Sequence, residues 1–190
     1  ENTSILFQPQ VSFGNGDFNE ISEFSTLTER NGVASRTNEG FTSNTGSNQN
    51  WRTNGFFLFR QKLGKAGRTL SFNARYNFSG NDMDGFNQSL TRTFDEFETA
   101  SDSIINQRYI QEQNSQSLSG RLTYTEPLGK GFFVEANYEA SWNRSTSTKN
   151  TYDSGVVSDF GASNLVYNPN GEVLNDVYSS EIVNRYVNQT

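Results

Sequence analysis

From Leu70 to Phe78 and from Phe132 to Trp142 the chain alternates apolar and polar residues almost without a break. Successive side chains of a strand point to opposite faces, so each run sorts its residues into two sets. One set is Leu70, Phe72, Ala74, Tyr76 and Phe78, with Phe132, Val134, Ala136, Tyr138, Ala140 and Trp142. The other is Ser71, Asn73, Arg75 and Asn77, with Glu135, Asn137, Glu139 and Ser141. A sheet this greasy on one side and this charged on the other needs two solvents. A transmembrane barrel supplies lipid and an aqueous lumen; a sandwich supplies a core and bulk water. Alternation alone leaves both open.

Extending the same reading predicts an antiparallel up-and-down meander. A first strand covers Ser4–Phe13, with Ile5, Phe7, Val11 and Phe13 in phase. Pro9 shares that phase and has no N–H to give, which predicts an edge, a bulge or a break. Gly14–Asp17 carries turn residues, and Phe18–Asn50 is irregular enough to predict a long loop with one or two short strands, one near Glu20–Glu29. Gln49–Gln61 alternates again; Arg52 falls in the polar phase, and Phe56 and Leu58 interrupt it. A tight turn, Leu63–Gly67, leads into Arg68–Gly80. Asn81–Gly85 predicts a bend, Phe86–Phe97 a weaker strand, and Glu98–Ser103 a polar tip. Ile104–Glu126 follows, with Leu118, Gly120, Leu122 and Tyr124 in the apolar phase and Arg121 in the polar one. After a second tight turn, Pro127–Gly131, Phe132–Thr148 rises. The remainder holds a turn at Asn168–Gly171 and a final strand near Ser180–Gln189. Short turns at one end and long polar connections at the other are the asymmetry of outer-membrane barrels. Clean alternation gathers beside the short turns, where a membrane band is expected.

Composition narrows the alternatives. Only 32% of residues are hydrophobic and mean hydropathy is −0.74, yet aromatics reach 14%. That is poor material for a compact core, whereas a disordered chain lacks aromatics. A wetted barrel wall fits, as does a secreted sugar-binding β-protein. The absence of Cys and His excludes disulfides, Cys/His zinc sites and imidazole chemistry. A net charge of −6 with scattered basic residues argues against nucleic acid. No apolar run is long enough for a transmembrane helix. No charged start precedes an apolar segment, so export is expected to be directed from sequence outside these residues.

Candidate chemistry is sparse. Asp82-Met83-Asp84-Gly85 matches part of a calcium loop, but position 80 is Gly80 and no bidentate Glu follows; a bend is the expected reading. Glu96, Glu98 and Asp102 cluster near a tip, where paired carboxylates could serve glycoside hydrolysis, though a solvated loop explains them. Trp51, Tyr76, Tyr138 and Trp142 share phase with Leu, Val and Phe, which favours lipid or core contact over sugar stacking. No phosphate loop, nucleophile elbow or metal-ligand spacing occurs, so neither enzyme activity nor a cofactor is expected.

The run Trp51–Asn73, which includes Lys62-Leu63-Gly64-Lys65-Ala66-Gly67-Arg68-Thr69-Leu70-Ser71, resembles a barrel segment of TonB-dependent-receptor-type outer-membrane proteins. There a strand ends in a basic K-x-x-K-x-G-R-T-L-S turn. Asn81–Gly85, Asn87-Gln88-Ser89 and the Glu126-Pro127-Leu128 turn fit the same resemblance, which covers Phe13–Thr190. It implies a plugged barrel of about 22 strands that imports nutrients with energy passed from the inner membrane. Departures are the lack of a plug, of a TonB-contacting segment and of an aromatic-ended last strand. Residues 1–190 are therefore expected to be a partial outer-membrane barrel, incomplete at both ends. Lipid-facing positions are Leu70, Phe72, Ala74, Tyr76, Phe78, Leu118, Leu122, Tyr124, Phe132, Val134, Ala136, Tyr138 and Trp142. Lumen-facing positions are Arg52, Asn73, Arg75, Arg121, Glu135, Asn137 and Glu139, expected to form cross-strand ion pairs or to face a plug. Expected partners are membrane lipid, the other strands and plug of the same protein, a TonB-type energiser and a surface lipoprotein; nucleic acid is not among them.

Overall fold

The computed structural model describes residues 2–30, 32–97, 99–155 and 166–190. Among these there is no helix. β1 (Thr3–Arg30), β2 (Val33–Lys62), β3 (Thr69–Phe94), β4 (Ala100–Gly129) and β5 (Phe132–Asp153) are long; β6 (Val173–Leu174) and β7 (Ser180–Gln189) are short. They form one antiparallel sheet in the order β1-β2-β3-β4-β5-β6, with β7 also pairing β5. The expected all-β antiparallel meander is what folds.

Parity is conserved from strand to strand. Ile5 stands opposite Phe59, Phe59 opposite Phe72, Phe72 opposite Leu122 and Leu122 opposite Tyr138. The next rung runs Leu6, Leu58, Asn73, Arg121, Glu139. Opposed residues share a face, so a face assigned on one strand holds for all.

The turns obey backbone chemistry. Gly129 pairs with Phe132, leaving Lys130 (φ 51°) and Gly131 (φ 82°) as a two-residue loop. Positive φ at both central positions is what a type I′ hairpin requires. At the Leu63–Arg68 turn, Leu63 N donates to Arg68 O at 3.0 Å and Arg68 N to Lys65 O at 3.0 Å. Pro9 lies in β1, at a sheet edge and without a bulge. Lys62 N donates to Asn2 O, so even positions of β1 bond β2. Odd positions, Pro9 included, turn their nitrogen outward, where the missing donor costs no ladder bond.

Several sequence expectations need correcting. Phe18–Asn50 is not a loop: β1 and β2 form a continuous ladder across it, and Arg30 pairs with Val33. Gly14–Asp17 pairs with Asn50–Ser47 instead of turning, and Asn81–Gly85 pairs on both sides within β3. Ser101–Ser103 belong to β4 and pair with Thr93–Thr91; Glu98 lies outside the described residues. The polar stretches beyond the alternating region are thus paired hairpin arms. At the β3–β4 tip, Asp95 Oδ1 accepts from Phe97 N and Thr99 N, both at 2.8 Å, an Asx turn. The expected turn at Asn168–Gly171 and the expected last strand are present.

A conventional core is missing. Leu90 is the one buried hydrophobic residue among those described, and no described side chain is fully buried. Phe72, Val134 and Tyr138 are 38%, 51% and 53% exposed. The strands make a single layer, so the sandwich reading, which needs a second sheet on these residues, does not describe the fold.

Candidate functional site

Register gathers the apolar residues near the short turns into one band. From β1 it takes Ile5, Phe7, Val11 and Phe13; from β2, Phe59, Phe57 and Trp51; from β3, Leu70 to Phe78. β4 gives Leu118, Leu122 and Tyr124, and β5 gives Val134, Ala136, Tyr138 and Trp142. Phe132 continues the β5 phase. Val187 of β7 extends the band beside Trp142. All thirteen residues expected on this side lie on it. Rings interlock across and along strands, with Phe57 and Phe72 centroids 6.3 Å apart and Tyr76 and Phe78 5.5 Å apart.

The upper border of this band is oblique. On β1 and β2 the contiguous apolar run of that face ends at Phe13 and Trp51, a single rung. That rung continues through Gly80, Asn114 and Thr146. The apolar set on β3 ends two residues short of it, at Phe78, and on β4 and β5 four residues short, at Leu118 and Trp142. The lower border shifts the same way, from Ile5 and Phe59 to Tyr124 and then Phe132. A fall of four residues over four inter-strand gaps, at ~3.4 Å per residue and ~4.8 Å per gap, is about 35°. Strands of membrane barrels are tilted by about 35–45°. Apolar runs of about nine residues per strand also match what a tilted strand needs to cross hydrocarbon.

On the opposite face, Arg52, Asn73, Arg75, Arg121, Glu135, Asn137 and Glu139 lie together. Their interactions differ from the expected ion pairs. Arg52 Nε donates to Asn77 Oδ1 at 2.8 Å, and Arg75 lies 5.4 Å from the Phe56 ring centre, a cation–π contact. Thr123 Oγ1 donates to Asn137 Oδ1 at 2.9 Å. Arg121 stands opposite Glu139, yet no ion pair closes between them among the described residues. Apart from glycines and a few apolar residues such as Leu6, Leu58 and Phe56, this face is a lattice of amides, hydroxyls and charges.

Cross-strand ion pairs occur instead on the apolar face, above and below its band. Below it, Arg68 grips Glu126 bidentately, Nε to Oε2 at 2.7 Å and Nη2 to Oε1 at 2.8 Å. Lys65 Nζ donates to Glu126 Oε1 at 3.2 Å and to Pro127 O, and the Tyr124 hydroxyl donates to Oε2. Arg68 first, then Tyr124, with a smaller contribution from Lys65, hold the Glu126 carboxyl down to about 2. Above the band, Arg92 pairs bidentately with Asp102, both contacts 2.8 Å, which lowers the Asp102 pKa. Arg108 pairs with Asp84 at 3.0 and 2.6 Å. Lys65 and Arg68 are about 60 residues from Glu126 and Arg108 is 24 from Asp84, joined by the strand register, whereas Arg92 and Asp102 face each other across the β3–β4 tip.

The remaining candidates dissolve. Asp84 of the calcium-like motif is taken by Arg108 within a strand, and no group of metal-binding side chains occurs among the described residues. Asp102 is held by Arg92, Glu96 lies in the β3–β4 connection, and Glu98 lies outside the described residues. Among the described residues no helix is long and apolar enough to cross a membrane.

A family described as "Outer membrane protein beta-barrel family" has a model that matches residues 61–181. Comparisons with curated proteins and with solved structures give no match.

Proposed function

The chain belongs to the outer membrane protein β-barrel family and lies in the bacterial outer membrane, and from that premise we propose that it forms wall of a TonB-dependent receptor for nutrient uptake. In this reading the oblique apolar band faces lipid, and the face carrying Arg52, Arg75, Arg121 and Glu139 lines an aqueous lumen occupied by a plug. The protein moves a ligand and catalyses nothing. Energy comes from a TonB-type partner, and a surface lipoprotein assists capture.

The observation that carries it is the band itself: contiguous, about the height of hydrocarbon, sloped like barrel strands and uncovered by protein. The run from Lys62 to Ser71, with its resemblance to TonB-dependent receptors, supports the finer assignment. Because the chain has no Cys, single labels can be placed cleanly. With the full protein in bilayers, nitroxides at Phe72 and Asn73 should report oxygen and a water-soluble relaxer respectively. If both report water, the lipid assignment fails. A photo-crosslinker at Arg75 or Arg121 should bond a plug segment of the same polypeptide; reaction with lipid alone overturns the lumen assignment.

A further inference from the structure

Arg144 on β5 and Arg185 on β7 stand opposite each other, two residues along each strand from Trp142 and Val187 and next to them on the same face. The parity of the sheet sets both on the apolar face, directly above the oblique upper border. Glu139 and Thr190 exchange both backbone hydrogen bonds, at 2.8 and 3.0 Å, so odd positions of β5 form the hydrogen-bonded pairs with β7. Arg144 and Arg185 therefore form a non-hydrogen-bonded pair, the type in which side chains approach most closely.

Like charges directly opposed on a sheet repel. Here nothing within the described chain offsets that: no carboxylate lies within ion-pair distance of either guanidinium. The nearest acids on that face of β4, β5 and β7 are Glu112 and Glu181, both on the rung of Thr148, four residues beyond Arg144 along β5. Gln116, opposite Arg144, adds a neutral amide. Arg144 Nε is shielded from solvent and has no hydrogen-bond partner, which is a costly condition for a charged group. Two arginines on opposed positions at the edge of a lipid band offer planar, bidentate donors suited to an oxyanion, and at the border of a bilayer the abundant oxyanion is a headgroup phosphate.

We propose that Arg144 and Arg185 clamp the phosphate of an outer-leaflet lipid headgroup. Its acyl chains then lie along Trp142, Val187 and Leu118 while the phosphate neutralises the arginine pair. The inference rests on the outward orientation proposed above, which the Phe72 and Asn73 labels test independently.

The test uses the full barrel in detergent, native mass spectrometry and two probes, diphosphorylated lipid A and its dephosphorylated form. Wild type should retain the phosphorylated lipid about tenfold more than the dephosphorylated one. R144Q/R185Q should lose that preference while keeping heat-modifiable electrophoretic mobility. R144K/R185K preserves charge and folding and should retain an intermediate preference, because an ammonium lacks the fork. Equal retention by wild type and the Gln pair overturns the clamp. So does full displacement of the lipid by millimolar inorganic phosphate, which would mark an anion site without lipid specificity.

Discussion

The Trp51 indole occupies the space that a side chain at Gly80 would need: a Cβ on Gly80 would sit 2.3 Å from Trp51 Nε1, and the two residues face each other across β2 and β3. The ring closes over the bare backbone of its neighbour at the upper border of the apolar band. Gly55 and Tyr76 repeat the arrangement deeper in the band, with a Cβ at 2.4 Å from the Tyr76 ring. At Gly80 and Gly55 glycine is a seat for an aromatic side chain.

Replacing Gly80 with Val should therefore expel the indole and cost about 1–3 kcal/mol, the usual penalty of overpacking. Trp fluorescence in a W142F background checks it. A red-shifted, more quenchable Trp51 is expected, and an unchanged spectrum would mean the ring has other room.

Charge tolerance should split between adjacent residues. Ala74→Arg, in mid-band between Phe57 and Gly120, is expected to cost about 2–4 kcal/mol, as for Arg at a bilayer midplane. Asn73→Arg, one residue away on the polar face, should stay within about 0.5 kcal/mol. Guanidinium unfolding in phospholipid vesicles measures both, and equal costs would refute the two-solvent sheet.

The Glu126 cluster gives a pH dependence of known sign. Its folded pKa, about 2, lies below the ordinary value of 4.5, so the folded state binds the proton less well than the unfolded state. Its stabilisation is present above pH 4.5 and drains away as pH falls from there towards 2. Wild type should lose unfolding midpoint across that window by more than Glu126→Gln, whose neutral amide does not titrate. Parallel pH profiles would show that Arg68, Lys65 and Tyr124 do not hold a charged carboxylate there.

Lys130 is the one non-glycine residue with positive φ among those described. Lys130→Asn would complete an Asn-Gly pair suited to type I′ geometry and should stabilise by about 0.5 kcal/mol, whereas Lys130→Val, with its branched Cβ, should destabilise by about 1–2 kcal/mol. Unfolding midpoints of the two variants should fall on opposite sides of wild type.

How much of this was legible from residues alone depends on which side of the border they lie. Within the band, one phase must be apolar and the other polar, so period two shows plainly in Leu70–Phe78 and Phe132–Trp142. Beyond it polar residues predominate on both faces. Asn81 and Asp82, or Glu112 and Gln113, face opposite ways with the same polarity, and no period survives to mark a strand. Turn-rich composition misled for a second reason. Gly14 and Gly85 lie inside ladders, where an added Cβ would come within 2.8 Å of Asn50 and 2.7 Å of Tyr109; they make room for a partner instead of reversing the chain. The register sets the polar-phase charges on one face, where cross-strand ion pairs or contact with a plug are expected, and the contacts seen there are to amides and a ring. Opposite signs on one rung, as at Arg121 and Glu139, do not pair unless the geometry and solvent favour it.

The paired arms above the border have a bearing on the cell surface. Seventeen residues of β1 follow Phe13, roughly 55 Å of strand, or about 40 Å of height once inclined, which exceeds the ~30 Å thickness of the hydrocarbon itself. A molecule approaching from the medium would meet paired, hydrogen-bonded strands well before reaching the bilayer.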